Sequence, residues 1–479
     1  MEYLLGIDVG TNGTKSVLFD AEGAYVDMAY KGYDLLYSHE GWVEQRALDW
    51  WEALVETVRT LVEKHGVSNR IKALSLSAQG GATVLLDAGF RPLANAVSWL
   101  DMRAREVQPM IESQISEGEL ESICGWNRLY CCNFPVIVWL REKQFHLFKK
   151  AAYFASTSDF INQRLTGRFV IDYSNLALTE FLDIQKKDLS DGLLAIAAIE
   201  RSNLPEIVPS GNEIGLLTEE SAEELGLSGK VLVVSGGHDQ YCANVGAGAI
   251  NNGDCVLSSG TAWVLLATSD RLLQDDQGLI HPGIHLMKDK YGMMSAVSSA
   301  GDSLNWYQRT FLPKQSLEKL DGKVSRVDAG SDGLIFIPKF ISNSKKASFI
   351  HADTMHDSMH FARAVYEGVA LANEHHMRAF ERTGMAIQKL HMIGGGARSR
   401  LWPHIVADVS GVPVEIPEQK EAACAGAAIL AGVGSGVFPS IEEAAGRFTG
   451  KTERIEPDAN NGEVYQKAYE HFISVLEYV

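Results

Sequence analysis

Two related α/β domains are predicted from this sequence, and three observations predict them. Short apolar strands alternate with helix-period stretches over the whole chain. The unit of apolar strand, Gly-Thr turn and apolar strand occurs twice, at residues 5–19 (LGIDVGTNGTKSVLF) and at 255–268 (CVLSSGTAWVLLAT). The 479 residues are enough for roughly two to four domains of about 100–200 residues each, with a large core.

Residues 3–9 (YLLGIDV) read as a buried strand that stops at Gly10. Residues 14–20 and 24–30 read as the next two strands, with GTNG at 10–13 as the tight turn between the first pair. A helix is expected over 48–64, because Trp51, Leu54, Val55, Val58, Leu61 and Val62 share one face. Ile71–Ser77 is a strand, followed by LLD at 85–87, the segment 99–105 and a helix-rich stretch to about 200. Val231–Ser235 is a strand that runs into GGHDQ at 236–240. The small, polar run VGAGAINNGD at 245–254 marks a boundary, which gives domains over 1–246 and 247–479. Beyond it come strands at 334–337 and 389–393, a helix over 358–382, and GGG at 394–396 leading into a helix over 399–410.

Apolar residues make up 46% and charged residues 22%, which excludes a disordered or fibrous chain. Asp plus Glu number 61 against 43 Lys plus Arg, a net charge of -18 that repels nucleic-acid backbones and anionic membranes. No nucleic-acid or membrane partner is therefore expected. Cysteines stand at 124, 131, 132, 242, 255 and 424, with no CxxC pair, too sparse for a disulfide scaffold. A reducing cytoplasm is the expected compartment. The N-terminus lacks a basic region followed by an apolar stretch, and no run of about 18 apolar residues occurs.

Four segments carry chemistry. In Asp8-Val9-Gly10-Thr11-Asn12-Gly13-Thr14-Lys15 a strand delivers a carboxylate to a turn rich in free N–H groups, hydroxyls and a Lys. Such a concavity suits phosphate oxygens, and Asp8 beside phosphates makes sense with Mg²⁺ between them. The Walker pattern is absent, and alone the segment reads equally well as a plain hairpin. Ser259-Gly260-Thr261 repeats the turn, so the pair suggests a clamp on one polyphosphate. Gly394-Gly395-Gly396-Ala397-Arg398-Ser399 lets backbone approach a flat ligand at a helix start, and the dinucleotide pattern GxGxxG is not matched there. Gly236-Gly237-His238-Asp239-Gln240 sits past a strand end, where α/β proteins place their sites.

With these segments in this order, the chain resembles the FGGY carbohydrate kinases, which share the actin-like, ribonuclease-H-like ATPase fold. GIDVGTNGTKSVLFD resembles the first phosphate hairpin, GGHDQ the turn with the catalytic aspartate, and SSGTAW the second phosphate turn. GGGARSRLWPHIVADVSG resembles the adenosine segment and EAACAGAAILAG the helix after it; the xylulokinase-like branch is nearest. The resemblance implies two actin-like domains flanking a central cleft and ATP-dependent phosphorylation of a sugar hydroxyl with Mg²⁺. It implies Asp239 as catalytic base, Asp8 and Asp239 as metal ligands, and Gly10, Thr11, Asn12, Thr14, Lys15, Gly260, Thr261, Gly395, Gly396 and Ser399 around the nucleotide. Gln79, Gly80, Trp99, Asp101, Arg103 and Gln240 are the sugar-side candidates; Trp99 reads equally as core, and Arg103 equally as a structural partner of Asp101.

Two departures bear on the sugar. Xylulokinases carry Met-His-Gly where Gln79-Gly80-Gly81 stands, and their Tyr-Leu-x-Gly-Glu-Arg stretch is replaced by FIPKFISNSKKASFI at 336–350. The expected substrate is a ketopentose such as xylulose. Alternatives are another ketose, a polyol or the quorum-signal substrate of one branch; a non-catalytic sensor ATPase is the reading from a different class. Homodimers are the assembly the resemblance implies, with no interface readable in the sequence. The group His351, Asp353, His356, Asp357 and His360 lacks HExxH and reads as a helix start capped by Asp357 or Ser358 rather than a metal site. His375 and His376 are expected at a surface edge.

Overall fold

The computed structural model describes residues 2–126, 130, 132–338 and 346–476. Residues 339–345 of the departing segment 336–350, and Cys131, lie outside the described residues. Two compact units form, and they are not consecutive in the chain. The first comprises Met1–Gly248, Pro282–Gly292 and Glu421–Phe448; the second comprises Ala249–His281, Met293–Lys420 and Thr449–Val479. The first break, after Gly248, falls within two residues of the expected boundary at 246, and two later segments, Pro282–Gly292 and Glu421–Phe448, also group with the first unit.

In chain order the first unit begins with β1 (Tyr3–Val9), β2 (Gly13–Asp20), β3 (Tyr25–Gly32), α1 (Ala47–His65), β4 (Ile71–Ala78), β5 (Glu213–Leu216), β6 (Leu232–His238) and α2 (Asp239–Gly246). The sheet order is β3-β2-β1-β4-β6-β5. β1 pairs antiparallel with β2 and parallel with β4, and β4 pairs parallel with β6. β1 and β4 read as continuous apolar runs because both faces are covered. The predicted face of α1 is the one that packs: Trp51, Leu54, Val58, Leu61 and Val62 are buried in one core with Leu5, Ile7 and Leu18.

The second unit holds β7 (Asp254–Ser259), β8 (Trp263–Ser269), β9 (Tyr291–Val297, entering it at Met293), α3 (Gly301–Phe311), α4 (Leu317–Val324), α5 (Ser358–Arg382), β10 (Lys389–Ile393), α6 (Trp402–Ser410) and β11 (Val414–Pro417). The chain returns to the first unit with α7 (Ala422–Gly434), then leaves it for β12 (Thr452–Ile455) and α8 (Ala459–Leu476). Here the strand order is β9-β8-β7-β10-β11-β12. β7 is antiparallel to β8 and parallel to β10, β10 is parallel to β11, and β11 is antiparallel to β12. The repeat legible at 5–19 and 255–268 is thus one arrangement used twice over four strands, β3-β2-β1-β4 and β9-β8-β7-β10; the two strands beyond them come in opposite chain order.

α7 explains why the chain returns. It packs on β1 and crosses α2 at backbone distance. A Cβ on Gly426 would lie 1.9 Å from the Cys242 carbonyl oxygen, and one on Gly246 would lie 2.0 Å from that of Ala422. Asp239 opens α2, so this crossing sets where its carboxylate stands.

Other expectations are met or corrected locally. Asp357 caps α5, accepting from the Met359 and His360 amides, and no described group of His, Cys, Asp and Glu is arranged to hold a metal. His376 is not at a surface edge: it is buried, its Nδ1 2.7 Å from Ser295 Oγ, because the middle of α5 is covered nearly all round. Among the described residues no helix is long and apolar enough to cross a membrane. The described cysteines are buried and form no disulfide.

Gly426→Ala tests the crossing. Helix propensity alone would stabilise it by about 1 kcal/mol. Overpacking against rigid backbone costs about 1–3 kcal/mol or more, so the net effect should be destabilising. A lower thermal midpoint for Gly426→Ala checks this; an unchanged or raised midpoint refutes the tight crossing.

Candidate functional site

Parallel pairing brings the first set of residues together. Asp8 on β1 lies opposite Ser77 on β4, and Ser77 lies opposite Gly237 on β6. Asp239 follows at the start of α2. Two carboxylates thereby stand at one edge of the sheet, at the carboxyl ends of β1 and β6 with β4 between them. Ser77 Oγ donates to Asp8 Oδ1 at 2.7 Å. Gln240 donates to the Asp239 carboxyl from its backbone and its side chain. Burial, and then the charge of Asp239, push Asp8 up to about 6. Burial likewise pushes Asp239 up to about 6, against the hydrogen bonds from Gln240.

The 10–13 turn is held by its carbonyls. Tyr33 donates its hydroxyl to the Gly10 carbonyl, Gln45 Nε2 donates to the Thr11 carbonyl at 2.8 Å, and Tyr30 donates to that of Asn12 at 3.0 Å. The Gly10 amide donates within the turn to the Gly13 carbonyl at 3.1 Å, which leaves the Thr11 and Asn12 amides as the candidate donors. Thr11 and Asn12 are accessible, whereas Thr14 is wholly buried within the sheet. Lys15 pairs with Glu421 at the start of α7.

The sugar-side candidates divide. Trp99 is 41% exposed rather than core, and its Nε1 donates to Thr11 Oγ1 at 2.9 Å. Gln79 is buried and donates to Gln45 Oε1 at 3.0 Å, so both residues connect to the phosphate-like turn. Asp101 and Arg103 are instead spent on each other, and the expectation that they contact sugar needs correction. Asp101 accepts from the Val43 amide at 2.6 Å and from Arg103 Nε and Nη2 at 2.9 and 2.8 Å. Arg103 also pairs with Glu44 and stacks over Trp42 at 3.7 Å. Both are buried.

In the second unit the two glycine-rich turns converge. β7 and β10 run parallel with Ser258 opposite Ile393, and the Ala397 amide donates to Ser259 Oγ at 3.1 Å. A cavity of about 650 Å³ opens there, lined by Gly260, Thr261, Gly395, Gly396 and Ser399, together with Asp321 and Tyr366. That volume is typical of a small-molecule or cofactor site. Trp402 packs on Tyr366 with ring centroids 4.9 Å apart and forms part of the wall. Ser399 is committed: its Oγ donates to Asp321 Oδ2 at 2.8 Å and accepts from the Trp402 amide at 2.9 Å. Asp321 and Tyr366 carry no sequence signal, since one sits in an ordinary amphipathic helix and the other in an apolar one. Ser77, Gln45 and Tyr33 were also missed; strand pairing and a return loop bring them in.

The N-terminal domain of the FGGY family of carbohydrate kinases matches residues 3–246, and its C-terminal domain matches residues 255–435. This chain belongs to the FGGY carbohydrate kinases. The sensor reading is thereby set aside. The kinase is 31% identical over 483 residues to a xylulose kinase of Bacillus subtilis, covering 99% of this chain and 97% of that one. A gluconokinase of the same organism is 26% identical over 493 residues, covering 99% and 95%. The crystal structure of a xyloylose kinase from Brucella ovis matches with a TM-score of 0.92 at 26% identity, covering 99% of this chain and 98% of that one.

The carboxylate pair makes a stability prediction. Asp8 moves from 3.8 unfolded to about 6 folded, so the native state disfavours its ionised form. The resulting penalty is full above about pH 6 and fades as pH falls toward 4. Asp8→Asn should therefore be more stable than the parent at pH 7.5 without nucleotide or metal, by on the order of 1–3 kcal/mol. The advantage should vanish near pH 4. Thermal melts at the two pH values check both the sign and the convergence.

Proposed function

We propose that this kinase transfers the γ-phosphate of ATP to a hydroxyl of a ketopentose, xylulose first among them, with Asp239 as the proton acceptor. The observation that carries the reading is the pair Asp8 and Asp239 at the carboxyl ends of β1 and β6, on either side of β4. The reading assigns the nucleotide to the cavity of the second unit lined by Gly260, Thr261, Gly395 and Gly396, and keeps the Thr11 and Asn12 amides as the phosphate-binding candidates of the first unit. Gln79, Gly80, Trp99 and Gln240 are the sugar-side residues it retains.

The sugar oxygen forms the new bond to the γ-phosphorus as the bond to the leaving ADP oxygen breaks, and the hydroxyl proton passes to Asp239. With a pKa near 6, this carboxylate is ionised at pH 7.5 yet basic enough to take a proton. Asp8 and Asp239 fit a divalent cation: they are hard oxygen donors, burial raises both, and the charge of Asp239 raises Asp8 further, in a way a cation relieves. Mg²⁺, when bound, supplies charge neutralisation at the phosphate oxygens. The turn amides and the carboxylates hold their places before the substrates arrive, which is how most catalysis of phosphoryl transfer arises.

Substrate choice rests on the relatives named for xylulose. An aldonic acid such as gluconate is the second reading, favoured by the gluconokinase relative and by Gln79-Gly80-Gly81 in place of Met-His-Gly. A coupled ADP-release screen over ketopentoses, ketohexoses, polyols and aldonic acids separates the two. Xylulose should give the highest kcat/KM, and rapid ADP release without any sugar would overturn the kinase assignment of this site. Asp239→Asn should lose about 10²–10⁴-fold in kcat. ATP should still bind that variant. The kcat/KM of the parent should fall below about pH 6 as Asp239 takes up a proton. A flat profile to pH 5 would remove it from this role.

A further inference from the structure

The Thr11 and Asn12 amides belong to the same planar groups as two carbonyls that the protein holds from behind. A trans peptide is flat, with the carbonyl of one residue and the N–H of the next pointing in opposite directions. Fixing the Gly10 carbonyl therefore fixes the direction of the Thr11 N–H, and fixing the Thr11 carbonyl fixes that of the Asn12 N–H. Among the described residues no acceptor takes either amide, and both residues are accessible.

Each of the two carbonyls has its own donor. Tyr33 follows β3, whose last residue, Gly32, lies opposite Gly13 on β2, and its hydroxyl donates to the Gly10 carbonyl. Burial raises the Tyr33 phenol well above its ordinary pKa, so the hydroxyl keeps its proton at any working pH. Gln45 sits in a two-residue strand, Glu44–Gln45, paired antiparallel with Ala96–Val97. It is buried, and its Nε2 donates to the Thr11 carbonyl at 2.8 Å. Its Oε1 accepts from Gln79 Nε2 at 3.0 Å, which gives the Gln45 amide a single orientation. Two residues beyond Val97, Trp99 Nε1 donates to Thr11 Oγ1 at 2.9 Å. Thr11 is thus held by its carbonyl and by its side chain, while its N–H stays unused.

The turn does not need these donors in order to close. The Gly10 amide already closes it on the Gly13 carbonyl. Gly10 has no Cβ to oppose rotation of the 10–11 plane, so closure alone leaves that plane loosely set. Ordering a glutamine and burying its amide cost side-chain entropy and desolvation, and here that cost is met at an accessible turn.

We infer that Tyr33 and Gln45 are positioning residues for the nucleotide, holding the 10–11 and 11–12 peptide planes so that the Thr11 and Asn12 N–H groups already face the place of a phosphate oxygen. The inference rests on those two amides being phosphate donors and adds what aims them. Donors that need not turn when the charge arrives bind it more tightly than donors that must.

Tyr33→Phe removes one oxygen, and Gln45→Met removes the donor while keeping the length of the side chain. Each variant should lose about 3–10-fold in affinity for ATP with Mg²⁺ by calorimetric titration, the worth of one ordinary hydrogen bond. Affinity for adenosine, which carries no phosphate, should stay within about 2-fold of the parent, as should KM for the sugar that the screen selects. A general loosening of the fold would weaken ATP and adenosine alike, and that result overturns the inference. In the nitrogen-labelled parent, the Thr11 and Asn12 N–H resonances should move on adding ATP and stay in place with adenosine. Parent-like ATP affinity in both variants, with those resonances moving, overturns the inference and spares the phosphate reading. Resonances that stay in place with ATP overturn both. Thermal melts establish that each variant folds; if Gln45→Met does not, Tyr33→Phe decides alone.

Discussion

The close crossing of α2 and α7 is the constraint on which the rest of the first unit depends. Gly246 and Gly426 let the two helices meet at backbone distance, and α7 in turn lies on β1. α2 carries Asp239 at its first position and β1 carries Asp8 near its end. The spacing of the two carboxylates is thus decided by helix packing and strand pairing, not by a flexible loop. The unfavourable side of that arrangement is visible in the charges, since both carboxylates are raised to about 6. A fold that buries two like charges side by side gives up stability that a bound cation can return.

The second unit uses the same order in its first four strands for a different purpose. In the first unit the strand ends gather carboxylates; in the second they gather glycines. Ser259 and the Gly394–Gly396 turn leave an open cavity walled by Tyr366 and Trp402. One topology therefore provides charge in one copy and space in the other, a division set by the residues that end each parallel strand.

Much of this was legible from local pattern. The strands at 3–9, 71–77 and 389–393 and the apolar face of α1 follow from continuous apolar runs and a 3.6-residue period. The repeated hairpin was visible because an apolar run, a Gly-Thr turn and a second run leave a local signature. What was not legible is long-range. Nothing near Asp321 signals that it accepts from Ser399 and the Arg400 amide. Asp101 and Arg103 look like polyol contacts in sequence, and only the fold brings up Glu44 and Trp42 to complete a closed ion pair. His376 reads as surface because its neighbour is another histidine, yet it lies on a helix covered nearly all round. The bulge on β6 between Val234 and Gly237 leaves only glycines as its trace.

The discontinuity of the first unit bears on how the chain matures as it is made. Residues up to Gly248 leave the ribosome before Glu421–Phe448 exists. Until that stretch emerges, the small-residue surface of β1 and α2 that receives α7 lies bare, and the Asp8–Asp239 pair lacks its neighbour Glu421–Lys15. A nascent chain in this state exposes apolar backbone-lined surface of the kind that chaperones capture. The carboxylate site is therefore finished only once a helix encoded far downstream of its two aspartates has been made.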